Sequence, residues 1–211
     1  MRTHHENNNP DVRICVRTGT WDREKSRSES RRLRAGLIDV ECRGLGQSSE
    51  ITRSELGKPY LAVSPSLQWS SSSTEGAAGI AWSSRGHVGL DLESKALFSP
   101  SDTLLRDSLT PRELDEWGDG LSAQAFVGIW TRKEAALKCL GTGLRLPPNT
   151  VQVGYPTDEW TPVTLRSTRV CWVRTLPVGP DLDGAIAFES HEVPGTMTMT
   201  RQAVRGEPHR E

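Results

Sequence analysis

No stretch of this 211-residue chain approaches the apolar run of about 18 residues that a membrane helix requires. The opening stretch, Met1 to Asp11, is polar and lacks the apolar middle of a secretion signal. The chain therefore reads as untargeted and cytoplasmic, with no membrane partner. Cysteine is sparse. Cys15, Cys42, Cys139 and Cys171 lie far apart with no C-x-x-C pair, which argues against a zinc site or a disulfide framework and fits a reducing compartment. Charge bias is also missing: a net charge of −1 creates no global field to draw nucleic acid or an anionic surface. Of five histidines, His4, His5 and His209 sit near the ends, and His87 and His191 have no cysteine or acid at metal-ligand spacing. No Ser-His-Asp hydrolase pattern and no internal repeat is evident.

What is present suffices for a folded core. Hydrophobic residues make up 35% of the chain, enough for one large domain or two small ones. Arg13–Thr18 reads as a strand, and Arg27–Arg43 as a helix with Leu33, Leu37 and Val40 near helical spacing, closed by Gly44 and Gly46. From Val12 to Arg34, eight basic residues outnumber Asp22, Glu24 and Glu29. Such a run is either a solvated helix face or a basic wall for a phosphate-rich ligand. Gly57-Lys58-Pro59-Tyr60-Leu61 is a turn followed by an extended piece, Ser70 to Ser73 a short polar run, and Ala78–Trp82 an apolar strand. Arg85-Gly86-His87 links to a second part that opens with the strand at Val88. Thr110-Pro111-Arg112-Glu113 is a capping box with proline at the first helical position, starting a helix that runs to Trp117. The longest helix is expected over Ser122–Leu140, ended by Gly141 and Gly143. Short strands follow at Val151–Val153, Thr161–Arg166, Arg169–Thr175 and Ala185–Phe188. The boundaries are thus 1–84 for an N-terminal part with 1–11 disordered, 85–199 for a C-terminal part, and 200–211 for a loose tail.

Two segments carry chemistry. In Val88-Gly89-Leu90-Asp91-Leu92-Glu93, residues two apart on a strand share a face, so Asp91 and Glu93 present neighbouring carboxylates that call for a cation. In Trp130-Thr131-Arg132-Lys133-Glu134-Ala135-Ala136-Leu137-Lys138, Phe126, Trp130, Glu134 and Lys138 are spaced by four, which sets Glu134 and Lys138 beside the apolar stripe. Taken singly, each has a bland explanation: an exposed strand end, or an i,i+4 ion pair worth roughly 0.2–0.5 kcal/mol. Together, three carboxylates and a lysine suit a divalent metal beside a phosphate.

The G-x-D-x-E strand, the W-x-x-K-E-x-x-x-K helix and the Gly141-Thr142-Gly143-Leu144 that follows resemble the signature of 4′-phosphopantetheinyl transferases of the surfactin-synthetase-activating type. Leu56-Gly57-Lys58-Pro59-Tyr60 is similar to the family's G-K-P turn. Leu67 to Thr74 stands where the family reads F-N-x-S-H-S/T. The resemblance implies an α+β fold, a monomer built as a pseudo-symmetric pair of similar α/β halves with a ligand cleft between them. It implies Mg²⁺ and coenzyme A, and transfer of phosphopantetheine to a serine of apo acyl or peptidyl carrier proteins of polyketide and non-ribosomal peptide synthesis. On this basis Asp91, Glu93 and Glu134 are the metal ligands, and Glu134, Lys138 and Asp91 the catalytic residues. Glu134 is the general base for the carrier serine. Lys138 binds the pyrophosphate, while Lys58, Pro59, Ser72, Arg31 and Arg32 border the adenine and 3′-phosphate. Ser73 replaces the family's histidine, and a lost charge-assisted hydrogen bond of that kind is worth roughly 1.5–3 kcal/mol of affinity. The segment before the first helix is also short for the family.

Two other classes remain. A coenzyme A or carrier-binding module without transferase activity fits the Ser73 change, although it has no need of metal ligands. A metal-dependent nuclease fits Glu93-Ser94-Lys95 as an E-x-K element with Asp39 upstream, but leaves the helix signature unexplained.

Overall fold

The computed structural model describes residues 11–43, 50–55, 57–97, 101–117, 120–164 and 170–204. Of residues 1–11, expected to be disordered, 1–10 lie outside them, as do the helix stop at Gly44 and Gly46, the strand ends at Arg166 and Arg169 and the tail beyond 204. Asp11 is ordered, accepting from the amides of Gly195 and Thr196. In chain order the elements are β1 (Val12–Thr18), α1 (Arg23–Cys42), β2 (Ile51–Arg53), β3 (Pro59–Leu61), β4 (Gln68–Thr74), β5 (Ala77–Ser83) and β6 (Val88–Ser94). They continue with α2 (Asp102–Ser108), α3 (Pro111–Trp117), α4 (Ala123–Leu140), β7 (Thr161–Val163), β8 (Cys171–Leu176), β9 (Leu182–Glu189) and β10 (Met197–Ala203).

Alternating apolar side chains build two four-stranded sheets. One has the order β10-β1-β5-β4 and the other β6-β9-β8-β7, with β2 and β3 forming a separate hairpin. Val12, Ile14 and Val16 of β1 meet Leu90 and Leu92 of β6 and Ile186 of β9 in a core between the sheets. On the outer face of the first sheet, Leu37 and Ile38 of α1 cover Trp69 and Ile80. On the outer face of the second, Phe126, Ile129 and Leu137 of α4 cover Val173, Ala185 and Ala187. The architecture is α+β, with one long helix on each sheet.

The sheets meet edge to edge at β4 and β6. Because β6 pairs with β9 on one side only, every second amide on its other side points at β4. Ser70, Ser72 and Thr74 alternate toward β6, and their hydroxyls accept from the amides of Leu90 (3.0 Å), Leu92 (3.2 Å) and Ser94 (3.1 Å). Each such buried bond contributes about 0.5–1.5 kcal/mol, and leaving the amide unpaired would cost more.

Several expectations need correction. The polar run Ser70–Ser73 is the middle of β4. Residues 200–203, expected loose, belong to β10, which runs parallel to β1 with Val12 opposite Met197 and Thr18 opposite Ala203. Its threonine and methionine alternation gave little contrast, and it is the packing of Met197 and Met199 on the inter-sheet core that seats it. Helix α1 starts four residues before Arg27, where the Asp22 carboxylate accepts from the Lys25 amide at 2.8 Å. Val40, placed on its apolar stripe, is 66% exposed, and the buried face runs through Leu37, Ile38 and Cys42. Val151 and Val153 are buried, but only Gln152 bridges to Thr164, so no strand forms there. Helices α3 and α4 match their expected bounds, the first through a reciprocal capping box between Thr110 and Glu113. None of the four cysteines forms a disulfide. Among the described residues no helix is long and apolar enough to cross a membrane.

Candidate active site

Strand β6 turns Gly89, Asp91 and Glu93 toward α4, and Gly89 explains how closely the two elements approach. Any side chain there would run into the Ala135 carbonyl and the Cys139 amide of α4, so only glycine lets the helix lie on the strand. This contact brings the second half of α4 over the carboxylates. Lys138 Nζ stands 2.5 Å from Asp91 Oδ1 and donates to Ser72 Oγ at 3.3 Å. Ser72 in turn donates to Asp91 Oδ1 at 3.0 Å. Asp91 is only 3% exposed, and its other oxygen, Oδ2, is buried with no hydrogen-bond partner.

Glu93 and Glu134 share this neighbourhood. Burial, with the Asp91 charge next and Glu134 adding a little, pushes the Glu93 carboxyl up to about 7, while Lys138 and the Trp130 indole N–H that it accepts from pull the other way. Burial and Asp91 also push Glu134 up, against the opposing pull of Lys138. The three carboxylates therefore lie within electrostatic reach of each other, with Lys138 as the nearby cation. Among the described residues no three histidine, cysteine, aspartate or glutamate side chains converge on a single point as a closed metal cage would require. The donor set nonetheless fits a hard divalent cation: it is all carboxylate oxygen, crowded with negative charge, with one buried oxygen left unpartnered.

Beside this cluster is a cavity of about 300 Å³ walled by Arg34, Arg53, Lys58 and Lys138, with no acidic side chain among its described lining residues. Pro59 and Trp69 give it an apolar surface, and the Arg34 guanidinium lies 5.9 Å from the Trp69 ring centre. Three cations, with Lys138 shared between this cavity and Asp91, form a wall suited to a multiply charged anion. Lys58 and Pro59 both line this cavity, and Lys58 also donates to the Cys139 carbonyl at 2.9 Å, tying the β3 turn to the end of α4. Arg31 and Arg32 do not reach this wall: both are exposed, and Arg32 pairs with Glu29 at 2.7 Å. Ser71 lines the cavity, whereas Ser72 faces Asp91 and Ser73 is absent from the wall. A larger cleft, of about 690 Å³, holds none of the expected site residues, and its Asp22, Glu75 and Asp181 have the wrong sign for phosphate.

A cation-walled cavity joined through one lysine to a carboxylate cluster suits phosphoryl chemistry, and comparison with known families finds one match. Residues 87–176 match the model of the 4′-phosphopantetheinyl transferase superfamily. This stretch begins just before β6 and ends with β8, so the matched residues include Asp91, Glu93, Glu134 and Lys138. Arg34, Arg53, Lys58 and Ser72 lie outside it. The match suggests phosphopantetheine transfer in general. No curated protein matches the chain.

Arg34, Arg53 and the Trp130 contact were not singled out in the sequence. Arg34 was within the basic run, but helical spacing alone could not tell it from Arg31 or Arg32. Lys133, inside the superfamily signature, is fully buried, sits 2.6 Å from Glu113 and donates to the carbonyls of Pro148 and Val151. It anchors α4 and takes no part in the cavity. Asp39, required by a nuclease reading, is exposed on α1 and paired with Arg43.

Proposed function

We propose that the protein transfers the 4′-phosphopantetheine arm of coenzyme A to a serine of an apo acyl or peptidyl carrier protein, releasing adenosine 3′,5′-bisphosphate. One observation carries the proposal: Lys138 touches Asp91 and also lines the cavity walled by Arg34, Arg53 and Lys58. A pyrophosphate held by that wall would lie next to the carboxylates.

In the proposed reaction Arg34, Arg53 and Lys58 hold the nucleotide phosphates, and Pro59 and Trp69 border the base. Lys138 binds a pyrophosphate oxygen as a point charge. The serine oxygen forms a bond to the phosphorus nearest the pantetheine arm, and the bridging oxygen leaves with its electron pair on the adenosine bisphosphate. Glu134 takes the serine proton. Burial raises its proton affinity, which suits a general base. Asp91, Glu93 and Glu134 would hold Mg²⁺, and a bound Mg²⁺ would offset negative charge on the pyrophosphate. Trp130 fixes Glu93 from the helix side through its indole N–H.

Intact-mass spectrometry of an apo carrier protein incubated with this protein, coenzyme A and Mg²⁺ tests the proposal. A gain of one phosphopantetheine arm, lost on adding EDTA, is the expected result. Glu134→Gln should abolish the gain while coenzyme A binding, followed by calorimetry, persists; full activity in that variant would remove Glu134 from the mechanism. Coenzyme A binding by the unmodified protein with no transfer to any carrier would favour a binding module.

A further inference from the structure

We infer that Ser72 is a positioning residue of the catalytic cluster rather than a contact for the nucleotide. This inference rests on the proposal that Asp91, Glu93 and Glu134 hold a divalent cation. Its basis is a full account of one hydroxyl. Ser72 Oγ has one proton and two lone pairs. The proton goes to Asp91 Oδ1 (3.0 Å), and the lone pairs accept from the Leu92 amide (3.2 Å) and Lys138 Nζ (3.3 Å). Nothing is left to bind a phosphate, and the side chain is 8% exposed and does not line the cation-walled cavity.

The geometry gives the hydroxyl a purpose. By engaging Oδ1 together with Lys138, Ser72 fixes the rotation of the Asp91 carboxylate, so that Oδ2, buried and without a partner, is the oxygen left for a cation. Ser72 belongs to one sheet and Asp91 to the other, so the orientation of the carboxylate depends on how the two edges are joined. Its neighbours on β4 provide an internal control. Ser70 and Thr74 make the same hydroxyl-to-amide bond with β6, to Leu90 and Ser94, and neither is hydrogen-bonded to Asp91 or Lys138. A role confined to the hydroxyl-to-amide seam would leave Ser70 and Ser72 with the same effect on cation binding.

The test is Mn²⁺ binding to the full-length protein without coenzyme A, measured by electron paramagnetic resonance, for the unmodified chain, Asp91→Asn, Ser70→Ala, Ser72→Ala and Ser72→Thr. Ser70→Ala and Ser72→Ala should both lower the melting temperature, Ser72→Ala by more, because its hydroxyl makes three bonds and that of Ser70 one. Only Ser72→Ala should weaken Mn²⁺ binding, by about tenfold, the lower end of what loss of an outer hydrogen bond to a metal ligand brings. Ser72→Thr, which keeps the hydroxyl, should restore binding. Equal Mn²⁺ affinity in Ser70→Ala and Ser72→Ala overturns the inference, and so does a Ser72→Thr variant that folds and binds as weakly as Ser72→Ala. Loss of Mn²⁺ binding in Asp91→Asn supports the carboxylate site independently of Ser72. An unmodified chain that binds no Mn²⁺ overturns both.

Discussion

Lys133 and Glu113 are both fully buried, and each satisfies the other at 2.6 Å. Lys133 spends its remaining protons on two carbonyls, while Glu113 also accepts from the amides of Thr110 and Val153. Removing one partner leaves a charge in a site that water does not reach, which costs about 3–5 kcal/mol. Lys133→Met should therefore lower the unfolding free energy by that amount in a denaturant titration. A loss below about 1 kcal/mol, the scale of an exposed pair, would show that the lysine is not the anchor of α4. Gly89 poses the opposite constraint at the same interface, since there the helix admits no side chain at all. In the sequence, the lysine and the glycine looked like parts of one reactive signature. The structure separates them from the groups proposed to react: Gly89 and Lys133 hold α4 in place against β6, and Asp91, Glu93, Glu134 and Lys138 gather where the two meet.

At the scale of elements, Asp11 shows how the parallel strand β10 is fastened. Its carboxylate accepts from the amides of Gly195 and Thr196 just before that strand, and from Arg85 in the linker to β6. Burial pushes the Asp11 carboxyl up, but Arg85 and the two amides outweigh it and hold it below the usual carboxylate value. A carboxyl depressed in the folded state adds stability that is present above its unfolded pKa, about 3.9, and is lost as pH falls through the lower folded value. Asp11→Asn should thus lower the melting temperature at neutral pH and narrow its gap to the unmodified protein below pH 4; a constant gap across that range would refute the charge-based account. Legibility in the sequence followed the same local logic. Helices α3 and α4 could be read because their stop and start signals, Thr110 with Glu113, Ser122 and Gly141, act within a few residues. Strand β4 could not, because its serines answer amides of β6 some twenty positions away. Strand β10 could not either, since what seats it is a neighbour at the other end of the chain. In the candidate site, the carboxylates and Lys138 were legible as spacing, whereas the choice of Arg34 over Arg31 and Arg32 depends on how α1 is rotated on its sheet.

Across the whole molecule, the core between the sheets and the hydroxyl seam make the two parts interdependent. Val12, Ile14 and Val16 are buried against Leu90, Leu92 and Ile186, so neither sheet can lose its partner without exposing apolar surface. Equilibrium unfolding should accordingly be a single transition, with tryptophan fluorescence and far-ultraviolet circular dichroism coinciding along a urea titration. Two separated transitions would mean that each sheet stands alone. The pairing of Val12 with Met197 has a further consequence during synthesis. Strand β1 has one neighbour, β5, supplied early and the other, β10, supplied only after every other strand of both sheets has been made. Until then one edge of β1 stays open to any extended chain nearby, so a nascent copy is exposed to mispairing for as long as β10 is unmade.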